Sequence, residues 1–261
     1  MCIRDRLRGT GVEGAVTVAD VEAAAAAHLA AAPLAPRKGF DPGEMRKAIA
    51  AAMGRSKREI PHYYLVHSID LGPVLAWLEH SNAAQPAANR LLPAVLLLKA
   101  AALALREVPQ LNGAYVDGAF RPGDGIHVGW AISLRGGGLV APAILDADKR
   151  PLAELMSQMR GLVQRARTGG LRSSELASPT VTVTSLGDRG AETVMGIIYP
   201  PQVALIGFGM IVTRPWVVGD RVEPRSVVTV SLAADHRASD GHIGALLLNA
   251  IERLLQEPEK L

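Results

Sequence analysis

His236 and Asp240 stand four residues apart in the segment Asp235-His236-Arg237-Ala238-Ser239-Asp240-Gly241, near the end of the chain. Imidazole changes charge near neutral pH, so it can take a proton and return it under ordinary conditions. A carboxylate four positions on, across a turn, can fix the geometry of such a ring. Far upstream, the run Thr180-Val181-Thr182-Val183-Thr184 leads into Ser185-Leu186-Gly187, and its last threonine can supply a hydroxyl donor. Taken alone, the His/Asp pair is also what a surface turn looks like. Thr184 alone is also what a strand-end threonine on a solvated face looks like. Other catalytic patterns are absent from the sequence. No Cys/His cluster has metal-ligand spacing. No G-x-S-x-G elbow occurs. Gly207-Phe208-Gly209 lacks the third glycine and the following helix of a dinucleotide site. His62, His67, His127 and His242 read most simply as packing or surface histidines.

The elements that must hold these residues are legible on either side of them. Val228, Val230 and Leu232 alternate with Thr229 and Ser231, which predicts a strand running into the His236 turn. Ile243, Leu246, Leu247, Ala250, Ile251 and Leu254 repeat at helical spacing and predict a helix running out of it. Asp240 or Ser239 suits its N-cap. Earlier, Pro42 to Lys57 reads as a helix with Met45, Ile49, Ala52 and Met53 on one face. Ile60-Pro61-His62 breaks it, and Tyr63 to Leu71 is a strand. Gly72 to Asn82 and Leu92 to Val108 are helices. Asn112 to Phe120 and Ile126 to Leu134 read as strands, with turns at Asp117-Gly118 and Pro122-Gly123. Gly137 to Ile144 is a further strand, and Leu152 to Thr168 is a helix ended by Gly169-Gly170. Thr180 to Thr184 and Gln202 to Phe208 complete the strands.

Composition bounds the function. With 261 residues, 49% apolar and 20% charged, the chain can bury a full core. A net charge of +3 tolerates an anionic substrate. It does not suggest nucleic acid, and no basic stripe is interleaved with aromatics. The single cysteine, Cys2, precludes an internal disulfide framework and fits a reducing, cytoplasmic setting. The longest apolar run, Leu91 to Leu105, contains Pro93 and Lys99 and reads as a buried helix, not a membrane span. The opening MCIRDR lacks the apolar core of a signal peptide. It fits poorly with the Gly-rich stretch after it, so residues 1–6 read as a non-native scar with the natural protein beginning further upstream.

An H-R-x-x-D-G segment between a strand and a final helix resembles the active-site signature of the acyltransferase (E2) components of 2-oxoacid dehydrogenase complexes. Further motifs occur in that family's order. Met45-Arg46-Lys47-Ala48-Ile49-Ala50 through Ser56-Lys57 to Ile60-Pro61-His62 is similar to the start of its catalytic core. Gly138-Leu139-Val140-Ala141-Pro142-Ala143-Ile144 resembles its G-L-V-x-P-x-I strand, and Thr184-Ser185-Leu186-Gly187 its [ST]-S-L-G segment. Residues 7–29 resemble the second half of the family's peripheral subunit-binding domain. Gly9, Thr10, Gly11, Gly14, Val16, Thr17, Asp20 and Val21 match, while Ala15 stands where the family has Arg and the first helix is missing. Residues 30–39 then form an Ala/Pro linker, and 40–261 the catalytic domain.

The resemblance implies an α/β fold like chloramphenicol acetyltransferase, two-layered, with a mixed sheet and helices. It implies transfer of an acyl group, acetyl first and succinyl or branched-chain as variants, between a dihydrolipoyl-lysine arm and coenzyme A. The arm belongs to a lipoyl domain that this chain lacks, and no metal is needed. His236 takes the coenzyme A thiol proton, whose pKa near 8.5 lies within reach of imidazole. Thr184 donates to the tetrahedral oxyanion, with Ser185 as the neighbouring alternative. Asp240 orients through hydrogen bonds, paired with Arg46, Arg55 or Arg58 of the first helix, and Arg237 is either structural or supporting. The expected unit is a homotrimer in which His236 and Asp240 face Thr184 of the next subunit. Such trimers build larger cores that bind the E1 and E3 components. A free-standing acetyltransferase or a condensation-type domain would carry H-H-x-x-x-D-G, and here Asp235 precedes His236. A non-catalytic scaffold subunit would tend to lose the histidine.

Overall fold

The computed structural model describes residues 9–23, 42–134, 137–187 and 190–261. The scar read at 1–6, the start and end of the 7–29 segment, and the linker at 30–39 fall outside these residues. The chain divides into a unit at Met1–Asp41 and a unit at Pro42–Leu261.

In the first unit the Gly-rich loop is tied to a helix start. The Thr10 N–H and hydroxyl donate to the Asp20 carboxylate at 2.9 and 2.7 Å, and the Thr17 N–H and hydroxyl at 2.8 and 2.9 Å. The Asp20 N–H returns a bond to the Thr17 hydroxyl, so Thr17 and Asp20 form a reciprocal cap ahead of the helical residues 18–23. The donors on Asp20, that from the Thr10 backbone first, hold its carboxyl well below the usual carboxylate range.

The second unit follows the α/β reading. Its elements are α1 (Pro42–Glu59), β1 (His62–Asp70), α2 (Gly72–Ala83), α3 (Pro93–Glu107), β2 (Gly113–Val116), β3 (Ala119–Pro122), β4 (Val128–Trp130), β5 (Ile132–Ser133), β6 (Leu139–Val140), β7 (Ala143–Ile144), α4 (Leu152–Thr168), α5 (Ser173–Ala177), β8 (Val181–Ser185), β9 (Ala204–Phe208), β10 (Val212–Val218), β11 (Arg221–Asp235) and α6 (Gly241–Gln256). The main sheet has the order β1-β11-β9-β8-β4-β7, with β10 also paired to β11. β9/β8 and β8/β4 are parallel and the other pairs antiparallel, so the sheet is mixed.

Strand alternation separates two cores. Val228, Val230, Leu232, Ile206, Val181 and Val183 point to the helices and join the main cluster with α3, α4 and α6. Leu205 and Ala233 point the other way and pack on Ile60 and Ile198. The central helix α3 is buried nearly all round. Its Lys99 survives there because the ammonium donates to the Asp148 and Arg150 carbonyls at 2.6 and 2.7 Å.

Thr229 and Ser231, on the other face of β11, are buried as well, and the Ser231 hydroxyl donates to the Val194 carbonyl. The structure departs from the sequence reading in four places. The expected strand at 126–134 is split into β4 in the main sheet and β5 in a separate ribbon. The expected strand at 112–120 is the β2/β3 hairpin, because Asp117 and Gly118 take φ of +53° and +76° and form a tight turn. The expected strand at 137–144 is broken before Ala143, where Pro142 offers no N–H to a ladder. β6 pairs with β5 in a separate ribbon, while β7 joins the main sheet. β10 has no counterpart in the sequence reading; it extends the line of β9 along β11.

Candidate active site

β11 is the longest strand, and its last residue, Asp235, is held on both sides. It lies opposite His62 of β1, and its N–H donates to the Val203 carbonyl at 2.9 Å. The next N–H, that of His236, donates to the Pro61 carbonyl at 3.0 Å, so the chain leaves the sheet at a fixed point. A tight turn follows, with the Ala238 and Ser239 N–H groups on the Asp235 carbonyl. Asp240, not Ser239, then caps α6: its carboxylate accepts from the Ile243 N–H at 3.0 Å. That bond, as the first cause, holds the Asp240 carboxyl below its ordinary range; the charge of His236 adds a smaller push in the same direction. Asp240 makes no hydrogen bond to the imidazole. The oxygen that accepts from Ile243 belongs to the start of the helix, so Asp240 fixes the end of the turn that carries His236.

Arg237 has a structural place. The Asp235 side chain is fully buried, and the Arg237 guanidinium grips it with Nη2–Oδ2 at 2.7 Å and Nε–Oδ1 at 3.0 Å. The Arg237 N–H adds a third bond at 2.9 Å. The guanidinium also lies 4.2 Å from the centre of the Tyr115 ring, which ties the β2/β3 hairpin to the turn. The Asp235 carboxylate raises the pKa of Arg237 further, so this clamp stays charged.

His236 itself is exposed, and among the described residues no hydrogen bond reaches its ring. The ring meets Tyr63 of β1 in a T-shaped contact, 5.3 Å between centroids and 67° between planes. Three other histidines are engaged in structure. His62 accepts the Ile198 N–H on Nε2 and donates from Nδ1 to the Ile60 carbonyl, and burial lowers its pKa. His67 meets Glu252 at 2.9 Å, and His127 accepts the Asp146 N–H.

Thr184 is far from this turn within one chain. It lies opposite Gly207 on β9, and Gly207 lies opposite Ser231 on β11. His236 is five residues beyond Ser231. At ~3.4 Å per residue that is about 17 Å along the strand, with two strand spacings, about 10 Å, across it. His236 and Asp240 therefore sit beyond the end of β11, while Thr184 and Ser185 stand at the end of β8, level with the middle of the β1/β11 pairing and about 20 Å away. The Ser185 hydroxyl accepts a long 3.4 Å contact from the Gly187 N–H. Thr184 shares a sheet face with Leu205 and Ala233, Ser185 the opposite one with Phe208. The expected pairing of Asp240 with an arginine of α1 is not made within the chain. Arg55 bridges Glu59 at 2.8 Å, and Arg46 reaches toward the backbone at Gly137. No group of three or more metal-ligating side chains occurs among the described residues. Nor is any described helix long and apolar enough to cross a membrane.

Neither Tyr63 nor the buried role of Asp235 is legible in the sequence. Only the β1/β11 register brings Tyr63 opposite Ala234, two residues before His236.

Residues 40–261 match the family model of the 2-oxoacid dehydrogenases acyltransferase catalytic domain. The chain is 32% identical over 272 residues to the dihydrolipoyllysine-residue acetyltransferase component 2 of the mitochondrial pyruvate dehydrogenase complex of Arabidopsis thaliana, covering 98% of this chain and 50% of that one. It is 36% identical over 223 residues to the lipoamide acyltransferase component of the branched-chain alpha-keto acid dehydrogenase complex of Pseudomonas aeruginosa, covering 83% and 51%. The chain thus spans about half the length of these curated relatives. Among solved structures, the dihydrolipoamide acetyltransferase of Azotobacter vinelandii aligns with TM-score 0.78 and 27% identity over 83% of this chain and 90% of that one. That crystallographic study concerns the role of one serine, one histidine and one asparagine in its catalytic mechanism. Chloramphenicol acetyltransferase shares the fold, with TM-score 0.52 at 14% identity, over 83% of this chain and 98% of that one.

Proposed function

The chain belongs to the 2-oxoacid dehydrogenase acyltransferase family, and from that premise we propose that it transfers an acyl group between a dihydrolipoyl arm and coenzyme A, with His236 as base and Thr184 as oxyanion donor. The observation that carries this reading is spacing. In the Azotobacter enzyme the serine, histidine and asparagine under study are 52 and 4 residues apart, the separations of Thr184, His236 and Asp240 here. Threonine keeps the serine's hydroxyl. Aspartate keeps the capping oxygen of asparagine, which suits the N-cap bond seen at Asp240.

The chemistry follows from those groups. The imidazole of His236 takes the coenzyme A thiol proton, and the thiolate sulfur attacks the thioester carbon of the acylated dihydrolipoyl group. The carbonyl oxygen becomes an anion, and the Thr184 hydroxyl donates to it. Collapse of that intermediate breaks the bond to the dihydrolipoyl sulfur, which leaves as a thiolate and recovers the proton from His236. Each step exchanges one thioester for another, so one base serves both directions.

His236 and Thr184 lie about 20 Å apart across one sheet, so on this reading a working site draws them from two subunits. This supports a homotrimer with a site at each interface, built into a larger core that serves E1 and E3 components. The acyl group is acetyl on this reading, in line with the acetyltransferase relatives, and a branched-chain acyl group is the second candidate, since the Pseudomonas relative is named for one. The capped loop and helix at residues 9–23 serve as part of a subunit-binding segment. Retention of His236 in a rigid turn speaks against a non-catalytic scaffold.

The test is acyl transfer from acetyl-CoA to dihydrolipoamide by the His236→Ala protein. Loss of about 10²–10⁴ in kcat with assembly intact is expected. A variant keeping more than about a tenth of wild-type kcat would refute the assignment.

A further inference from the structure

We propose that Tyr63 is a positioning residue for His236, holding the imidazole and its turn in the geometry that proton transfer requires. The inference rests on the reading of His236 as the base, and adds a residue outside the signature motif.

Three contacts make Tyr63 a bracket around that turn. Its ring meets the His236 ring in the T-shaped contact already described. Its hydroxyl is 2.9 Å from the Ser239 hydroxyl, on the far side of the same turn. Its back lies against the first turn of α6 at Gly244, where an added Cβ would come 3.1 Å from Tyr63 Cε2 and 2.7 Å from Leu65 Cδ1. The ring is thus pinned by strand, turn and helix at once. Burial raises the Tyr63 pKa, so the hydroxyl stays neutral through the range where an imidazole exchanges protons.

His236 needs such a bracket more than its neighbours do. The His62 ring is fixed at both nitrogens by backbone groups. The His236 ring has no such bond among the described residues, and the nitrogen that takes the proton must stay open. An aromatic wall restrains an imidazole without occupying its nitrogens. Because effective proton transfer depends on the base being held in place, displacement of about 1 Å can cost on the order of 10² in rate. Tyr63 is not itself the acid or base: its hydroxyl is committed to Ser239.

The experiment compares Tyr63→Phe, Tyr63→Leu and Tyr63→Met with wild type and His236→Ala in the assembled protein, by steady-state acetyl transfer. Assembly is checked by sedimentation. Tyr63→Phe keeps the ring and should retain kcat within about threefold, whereas Tyr63→Leu and Tyr63→Met should lose about tenfold or more, with the KM for coenzyme A little changed. Met is unbranched and reaches further into the space the ring leaves, so it carries the comparison if the Leu variant does not assemble. A kcat within twofold of wild type in the assembled variants lacking the ring overturns the proposal. So does a Phe variant as impaired as they are. If His236→Ala is inactive while the ringless variants are normal, only the role of Tyr63 falls. If His236→Ala is active, the reading of the site falls with it.

Discussion

Two individually inactive proteins should restore activity when their subunits are mixed. His236→Ala removes the proposed base and is expected to cost about 10²–10⁴ in kcat. Thr184→Ala removes the proposed oxyanion donor and is expected to cost about 10²–10³. In one chain the two residues are some 17 Å apart along the sheet and two strands across, too far for one reacting carbonyl to meet both. In the proposed ring each interface takes His236 from one subunit and Thr184 from the next. Random mixing of equal amounts then gives about one interface in four with both residues intact. Co-refolded or co-expressed subunits with distinct tags should therefore show about a quarter of wild-type activity per site, against a background of roughly 1% or less from the parents. The assay is acetyl transfer to dihydrolipoamide, with mixed assemblies verified by mass. Activity no higher than the parents in verified mixed assemblies would show that both residues do not act at one shared interface, and the separation read from the strand register would then be wrong.

Other outcomes follow from the same geometry. Thr184→Ser should keep most activity, because it retains the hydroxyl, whereas Thr184→Ala should lower kcat with little change in the KM for coenzyme A, read by steady-state kinetics. Arg237→Ala strands the buried Asp235 carboxylate. With the guanidinium side chain 33% exposed the cost should be near the low end for a broken buried pair, about 3 kcal/mol, or roughly 6–12 °C in Tm by calorimetry; a change under about 1 kcal/mol would refute the clamp. Asp240 has a depressed folded pKa, so the stability it contributes is present above the unfolded value of about 3.9 and is lost as pH falls through the folded one. Asp240→Asn should keep the cap and lose that dependence, so the stability difference between the two proteins should shift in favour of Asn below about pH 4 in acid-unfolding curves. Gly244→Ala places a methyl 2.7 Å from Leu65 Cδ1 and should cost about 1–3 kcal/mol in urea unfolding.

The local pieces of this protein are readable from residue order alone. Alternation before His236 and helical spacing after it mark β11 and α6, because both periods are written residue by residue. Asp240 could be named as one of two caps, since capping needs only a side-chain oxygen and an N–H three residues on. The motif order from Arg46 to Asp240 supplied the family. Where the sequence reading failed, the cause lay in distant partners. The 126–134 strand reads as one element, but its two halves pair with partners in different sheets. The 137–144 strand reads as continuous, yet the pairing partners on either side of Pro142 belong to different sheets. Nothing local marks Asp235 as a buried anion or Tyr63 as a wall for His236, because each role needs an antiparallel register between β1 and β11 that spans most of the chain. The separation of His236 from Thr184 has the same origin. Their types and spacing are those the proposed chemistry needs, but strand direction and register set them about 20 Å apart in one chain, which is why the proposed site draws on two chains.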